Sequence, residues 1–403
     1  MKYIIVLCDG MADLPIKSLN NKTLLQYAHT PNIDRLAQIG RTGQLQTIPD
    51  GFCAGSEVAN ISILGYNLSE TYEGRASLEA AGLGIDLQEG DLVMRCNLVN
   101  VEAGVLNSHS SGNISTKEAD ILIKYLQDHL GSDKVKFYCG KQFRHLVVIK
   151  GGSKYLDCTP PHDIVFKHYY DSLPKAIRTE ADDTVKQITD LILKSQELLA
   201  KHPLNVEREN EKKMPANSIW LWSPGYRPKM EPFSTMYPKV QNGAVISATD
   251  LINGIGTYAG FKCIKVDGAT GSYDTNYENK VKATIAALST NDLVYLHIDA
   301  CDEAGHEGDI SMKQYSIEKI DELVIGPLYE TQKEWETPVA MAVLPDHLTP
   351  CELRTHTTDA VPFMIYYPGI IPDGVDKFSE EDCARGGYGI LKGNEFMNEF
   401  LGL

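Results

Sequence analysis

Two stretches late in the chain place histidine and aspartate where they could hold metal ions. "DACDEAGHEGD" sets Asp302 and His306 at a D-x-x-x-H spacing, and "LPDHLTPCELRTHTTDAVP" supplies the adjacent pair Asp346 and His347, with His356 a short loop later. Asp9, in "VLCDG", offers one more carboxylate. Mixed oxygen and imidazole donors suit Zn2+ or Mn2+ better than the all-oxygen cages of Ca2+ or Mg2+. A lone aspartate after a strand is usually a turn residue, and a lone histidine is usually a surface or satisfied core residue. A set gathered around two strand ends is not explained that way. Two ions about 3.5–4 Å apart can clamp the attacking and leaving oxygens of a displacement and lower the pKa of a nearby hydroxyl.

A hydroxyl candidate is Ser56 in "FCAGSEVANISILGYN". Gly55 permits a tight turn, and Val58, Ile61, Ile63 and Leu64 form an apolar run that stops at Gly65. A serine at a helix start usually caps it by accepting a backbone N–H. Beside metal ions the same hydroxyl could be a nucleophile. The stretch alone leaves both readings open.

Strands must deliver these groups. Tyr3–Cys8, Leu293–Ile298 and Val339–Leu344 are near-continuous apolar runs, the pattern of strands buried on both faces of a parallel sheet. Asp9, then Asp299 and Asp302, then Asp346 follow them. Helical segments lie between. "TPNIDRLAQIG" offers Thr30 as N-cap, Pro31 at the first helical position and Gly40 as terminator, and residues 311 to about 329 form an amphipathic candidate. The alternation predicts an open α/β sheet with ligands beyond the carboxyl ends of its strands.

The middle of the chain differs. "DLVMRCNLVNV", "KVKFYCG" and "HLVVIKGG" read as strands, a charged helix follows near residues 180–202, and "HPLNVERENEKKMPANS" reads as a linker or exposed loop. The expected organisation is a catalytic domain of residues 1–91 and 211–403 with an inserted α+β domain at 92–210.

The bulk numbers exclude several classes. Formal charge is −16, from 38 Lys+Arg against 54 Asp+Glu, with no clustered positive patch, which argues against nucleic acid. No apolar run approaches the roughly 18 residues of a membrane span. "MKYIIVLCDG" is too short and lacks the cleavage site of a signal peptide, so a cytoplasmic chain is expected. Nine dispersed cysteines without C-x-x-C spacing argue against a disulfide framework or a zinc ribbon. Oligomeric state leaves no mark on the sequence.

Asp9, "GSEVAN", Asp302-x-x-x-His306, Asp346–His347 and His356 occur in the order of the alkaline phosphatase superfamily, and "TPNIDRLAQIGRTG" is similar to its early helix. Within it, "DGMAD", "YEGRASLEAAGLGI", "RCNLV", "HSSGNIST" and "GATGSYDTNY" resemble the archaeal-type cofactor-independent phosphoglycerate mutases. The resemblance spans residues 9 to about 362. It implies an alkaline-phosphatase-like, mostly parallel sheet flanked by helices and two divalent ions, manganese or zinc ahead of magnesium or cobalt. Asp302, His306 and His356 would hold one ion. Asp9, Asp346, His347 and the Ser56 oxygen would hold the other. Ser56 would take the phosphoryl group from 3-phosphoglycerate and return it to the 2-hydroxyl, with no 2,3-bisphosphoglycerate. Arg75, His109, Arg144 and His145 sit in stretches resembling the family's own and would bind the small phosphorylated acid. Lys280 and Lys319 read as ordinary helix-face lysines.

The chain departs from the family pattern at Ala54 and Glu57, where proline and aspartate are common, and at Ser223–Pro224, where glycine is expected. A homoserine kinase-like phosphotransferase on the same scaffold is the first alternative, although no Walker-type or kinase-like Gly-rich loop is present. A metal-dependent phosphomonoesterase is the second; an inserted lid that excludes water disfavours it. A metal-stabilised binding protein is disfavoured because structural zinc sites are usually Cys-rich.

Overall fold

The computed structural model describes residues 1–402, which fold as two compact units, residues 1–72 with 229–402 and residues 73–228. The second unit is wider than the 92–210 read from sequence. Ser218–Gly225 pairs along Asp91–Glu102 from Val99 to Val93, and so belongs to its sheet.

The first unit is built on an eight-stranded sheet. Its strands run in the order Lys262–Cys263, Gly243–Ile246, Leu293–Ile298, Lys2–Cys8, Val339–Leu344, Val361–Tyr366, Arg41–Gln46 and Ile390–Lys392. Only Val361–Tyr366 runs against its neighbours, so the expected mostly parallel α/β sheet is what forms. The three central strands are buried along nearly their whole length, which is why their sequences read as unbroken apolar runs. Their register decides where the site lies. Leu7 is level with both His297 and Leu344, so Asp9, Asp299 and Asp346 all emerge from one edge.

Local detail departs from the sequence reading in three places. The helix Pro31–Ile39 has Thr30 at its N-cap position, but the Thr30 hydroxyl makes no capping bond. Asp321 substitutes for it, accepting the N–H groups of Asn32 and Ile33. Asp321 can reach because the amphipathic candidate is interrupted: Ile310–Ile320 passes through a π-helical turn, Asp321–Ile325, before Gly326–Gln332. The third departure is the expected linker, which contains a helix, Pro203–Asn210. Pro203 occupies its first turn, and buried Arg208 pairs with Glu118 at 2.7 Å and donates to the carbonyls of Ser111 and Met214.

The second unit is an antiparallel sheet centred on Asp91–Glu102, with helices Thr116–Leu130 and Asp182–Leu199 contributing to one apolar core. Ser223, in place of the expected glycine, sits at φ 54° where the ladder is irregular between Trp222 and Gly225. No helix among the described residues is long and apolar enough to cross a membrane, and all nine cysteines are free thiols.

Candidate metal centre

Ser56 is the first residue of the helix Ser56–Ile63, with Gly55 at the cap position and no side-chain cap bond. The capping reading is thereby replaced. The Ser56 hydroxyl instead lies 3.1 Å from His347 Nε2. One turn later Asn60, on the same helix face, donates to the Ser56 carbonyl at 2.8 Å and to Asp346 Oδ2 at 2.9 Å. Tyr295 in turn donates to Asn60 Oδ1. The start of the helix is thus tied to the end of a sheet strand through one buried amide.

His347 is fully buried, and burial holds its imidazole below the usual histidine range. Thr349 donates to Asp302 Oδ1, which leaves its oxygen to accept from His347 Nδ1 at 3.2 Å. That assignment puts the ring proton on Nδ1 and leaves the Nε2 lone pair facing Ser56 Oγ, Asp9 Oδ1 at 3.5 Å and Asp346 Oδ2 at 3.5 Å. Asp346 Oδ1 accepts from the backbone N–H groups of Gly10 and His347. Asp9 Oδ1 is buried without any hydrogen-bond partner. Burial, then the charges of Asp346 and Asp302, push the Asp9 carboxyl well above the usual carboxylate range.

Beside this group, His306 Nε2 and His356 Nε2 face one another at 2.9 Å, with Asp302 oxygens 3.4 Å and 3.3 Å from them. His306 Nδ1 can only donate to the Arg354 carbonyl, 3.1 Å away, so Nε2 is the inward nitrogen, donating to Asp302 while the ring is charged and offering a lone pair once that proton leaves. Burial alone would raise the Asp302 carboxyl, but the hydrogen bonds from His306 and His356 outweigh it and hold it well below its ordinary value. Ligand atoms of Asp302, His347 and His356, and likewise of Asp9, Asp346 and His347, converge closely enough to share a cation. An orphaned carboxylate oxygen and facing imidazole lone pairs are the donor set that divalent ions satisfy. Gly10 makes room for the arrangement: at φ +61°, a Cβ there would come within 2.8 Å of Asp302 Oδ1.

Sequence reasoning missed several supporting residues. His297 interrupts an apolar strand, and its Nε2 lies 3.1 Å from Asp9 Oδ2. Lys280, read as a helix-face lysine, is fully buried and donates to the His297 carbonyl at 2.9 Å. Lys313, also fully buried, donates to Asp13 Oδ2 and to the carbonyls of Ala12 and Thr349, joining the loops after two strands.

In the second unit, Arg75 and Arg95 each meet Glu79 at 3.1 Å, and the Arg95 guanidinium lies over Trp222. Contacts continue from Trp222 to His162, from His162 to His109, and from His109 to Phe143, whose ring carries Arg144. Arg75, His109 and Arg144 are therefore linked by one chain of ion pairs and rings through Glu79, which sequence reasoning had not joined because Glu79, Arg95, His162 and Trp222 were not singled out. Burial, His162 and Arg144 lower the His109 pKa.

His145 is placed differently from those three. It is inside the sheet, 2% exposed, with Nδ1 accepting the Gly140 N–H at 3.1 Å. Burial pushes its pKa down from 6.5 to about 3, so folding favours the neutral ring. A depressed folded value gives stability that is full above pH 6.5 and is lost as pH falls toward about 3. At pH 5 the loss is about 2 kcal/mol. Denaturant melts of wild type and His145→Gln between pH 5 and 7 should show the shallower acid dependence in the variant; equal slopes would contradict the assignment.

A family model for 2,3-bisphosphoglycerate-independent phosphoglycerate mutase matches residues 37–205. A protein of that name from Methanosarcina acetivorans is 45% identical over 400 residues, covering 98% of each chain. Another from Thermococcus kodakarensis is 36% identical over 403 residues, covering 98% of this chain and 95% of its own. A solved structure of a Pyrococcus horikoshii protein aligns with TM-score 0.84 at 30% identity, covering 100% of this chain and 96% of that one. A cofactor-independent phosphoglycerate mutase from Thermoplasma acidophilum shares the fold, with TM-score 0.71 at 24% identity, over 100% and 99% of the two chains. With such identity sustained along almost its whole length, this chain belongs to the 2,3-bisphosphoglycerate-independent phosphoglycerate mutase family.

Proposed function

We propose that this chain interconverts 3-phosphoglycerate and 2-phosphoglycerate through a phosphoserine on Ser56. The observation that carries the reading is the 3.1 Å approach of the Ser56 hydroxyl to His347 Nε2 beside the partnerless Asp9 Oδ1. Asp302, His306 and His356 would hold one divalent ion, and Asp9, Asp346, His347 and Ser56 Oγ a second, with manganese or zinc matching the donor set. Ions so held supply positive charge that favours the ionised serine and offsets the phosphoryl charge.

Ser56 Oγ attacks phosphorus, an O–P bond forms at serine, and the ester bond to the C3 oxygen breaks. In the return step the C2 oxygen attacks the phosphoserine, the serine O–P bond breaks, and the 2-hydroxyl proton is balanced by one gained at the C3 oxygen. Water and a second phosphoryl donor are not consumed. In the metal-free chain the Ser56 hydroxyl donates to His347 Nε2, Asn60 fixes the turn that carries it, and the N-terminal end of the helix suits phosphoryl oxygens. Arg75, His109 and Arg144 are assigned to the carboxylate and phosphate of the substrate, with the guanidinium forks suited to bidentate capture. Buried His145 is not part of that assignment.

An enolase-coupled assay with 3-phosphoglycerate, run beside an ATP-plus-homoserine assay, tests the reading. Turnover is expected in the first and none in the second. Activity confined to the second would overturn the mutase assignment.

A further inference from the structure

Asp9 is held from behind by a buried chain of polar groups that the phosphoryl-transfer reading leaves unused. Leu7 is level with His297 in adjacent parallel strands, and side chains alternate faces along a strand, so His297, Asp9 and Asp299 share one face. His297 Nε2 lies 3.1 Å from Asp9 Oδ2, while Nδ1 lies 3.2 Å from Ser247 Oγ and 3.4 Å from Asp299 Oδ2. His297 is fully buried, and Asp9 and Asp299 are nearly so.

Two readings compete for this cluster. Its ligand atoms are close enough to share a cation of their own. Against that, the fully buried Lys280 donates to the His297 carbonyl at 2.9 Å, and its ammonium charge already acts on Asp299. The direct bond between His297 Nε2 and Asp9 Oδ2 likewise occupies the two atoms that would have to turn toward such an ion. A lysine and a formed hydrogen bond in that position favour a clamp over a third ion.

We propose that His297 is a positioning residue: hydrogen-bonded to Ser247 and ion-paired with Asp299, whose Oδ2 makes no hydrogen bond, it holds Asp9 Oδ2 so that Asp9 Oδ1 stays aimed at His347 and at the ion that would bind beside Ser56. This rests on the assignment of Asp9 as a metal ligand. A carboxylate with one oxygen fixed has lost the rotation that would otherwise oppose metal binding. Partners of this kind are worth about 10–100-fold in metal affinity.

The two ring nitrogens can be separated by substitution. The amide of Gln reaches where Nε2 stands, whereas the amide of Asn reaches only as far as Nδ1. Metal affinity by competition with a chromophoric chelator, bound-ion count by elemental analysis and melting of the metal-free protein should be measured on wild type, His297→Gln, His297→Asn, Asp299→Asn and Asp9→Ala. The expected result is a Mn2+ affinity about 10–100-fold weaker in H297N, near wild type in H297Q, and weakened several-fold in D299N. KM for 3-phosphoglycerate should change less than kcat in H297N once metal saturates. Wild-type metal affinity in both H297N and D299N, with D9A still losing an ion, overturns the clamp and leaves the ligand assignment standing. Unchanged ion count and affinity in D9A overturns the ligand assignment itself. Three ions in wild type, with H297N losing only one and the others unaffected, also overturns the clamp. Should H297N not fold, D299N decides alone, because it weakens the anchor without changing the volume of the strand's own side chain.

Discussion

Replacing Ser56 with alanine should reduce mutase turnover by about 10^4-fold or more while the protein melts within about 1 kcal/mol of wild type. The expectation of such different effects on activity and stability comes from the position of the hydroxyl. A capping serine removed from a helix start costs typically about 1 kcal/mol and can reach about 2. Ser56 caps nothing, and its side chain makes one hydrogen bond, to His347 Nε2. The bonds that hold this helix start to the sheet come from Asn60 and survive the substitution. Chemistry has no such substitute, because the proposed phosphoenzyme has no other oxygen to form on. Rapid quenching with 3-phosphoglycerate followed by mass spectrometry should find a phosphoryl adduct on the peptide containing Ser56 in wild type and none in S56A. Retained turnover in a folded S56A protein would remove serine from the mechanism. A helix that unfolds instead would show that the hydroxyl was structural after all.

The sheet was legible because its three central strands are buried on both faces and end on acidic residues. Both features are local, so Leu293–Ile298 and Val339–Leu344 could be read to the residue. The six candidate metal ligands outside Ser56 were legible for the same reason: Asp9, Asp346 and His347 lie just beyond strand ends, Asp302 and His306 on the helix Ala300–Glu307 that follows one, and His356 in the loop before Val361–Tyr366. What escaped were residues whose meaning depends on packing. Lys280 has the sequence of a surface lysine, and only its helix docking against the sheet turns it inward to the His297 carbonyl. Asn60 and Thr349 look like unremarkable polar residues until Asp346 and Asp302 arrive from elsewhere in the chain. His297 did carry a signal, an imidazole inside an apolar strand, whose face could have been inferred from its spacing to Asp299. The helix Pro203–Asn210 was misread as a linker because high charge was equated with solvation, whereas Arg208 is neutralised and buried.

Stripping divalent ions should abolish turnover and also lower stability, by an amount that grows as pH rises. Buried Asp9 and Asp346 and half-buried Asp302 lie close together, and in the metal-free chain burial followed by the Asp346 and Asp302 charges pushes the Asp9 carboxyl well above 3.8. A carboxyl raised on folding contributes stability that is fully present below pH 3.8 and is lost as pH climbs through the raised value. The metal-free protein should therefore weaken with rising pH over that window. Metal binding removes the penalty by taking the proton's place, so affinity itself should rise with pH. At a free-ion concentration 100-fold above Kd the linkage contributes about 2.7 kcal/mol, enough to raise Tm measurably. Scanning calorimetry of chelated and Mn2+-reloaded protein across pH 5–8 should show a gap in Tm that widens toward high pH, and reloading should restore turnover. A gap independent of pH would show that Asp9 is not the proton-bearing carboxyl of the metal-free site. Full activity in protein that elemental analysis finds free of divalent ions would refute the two-ion centre and leave Ser56 to be activated by His347 alone.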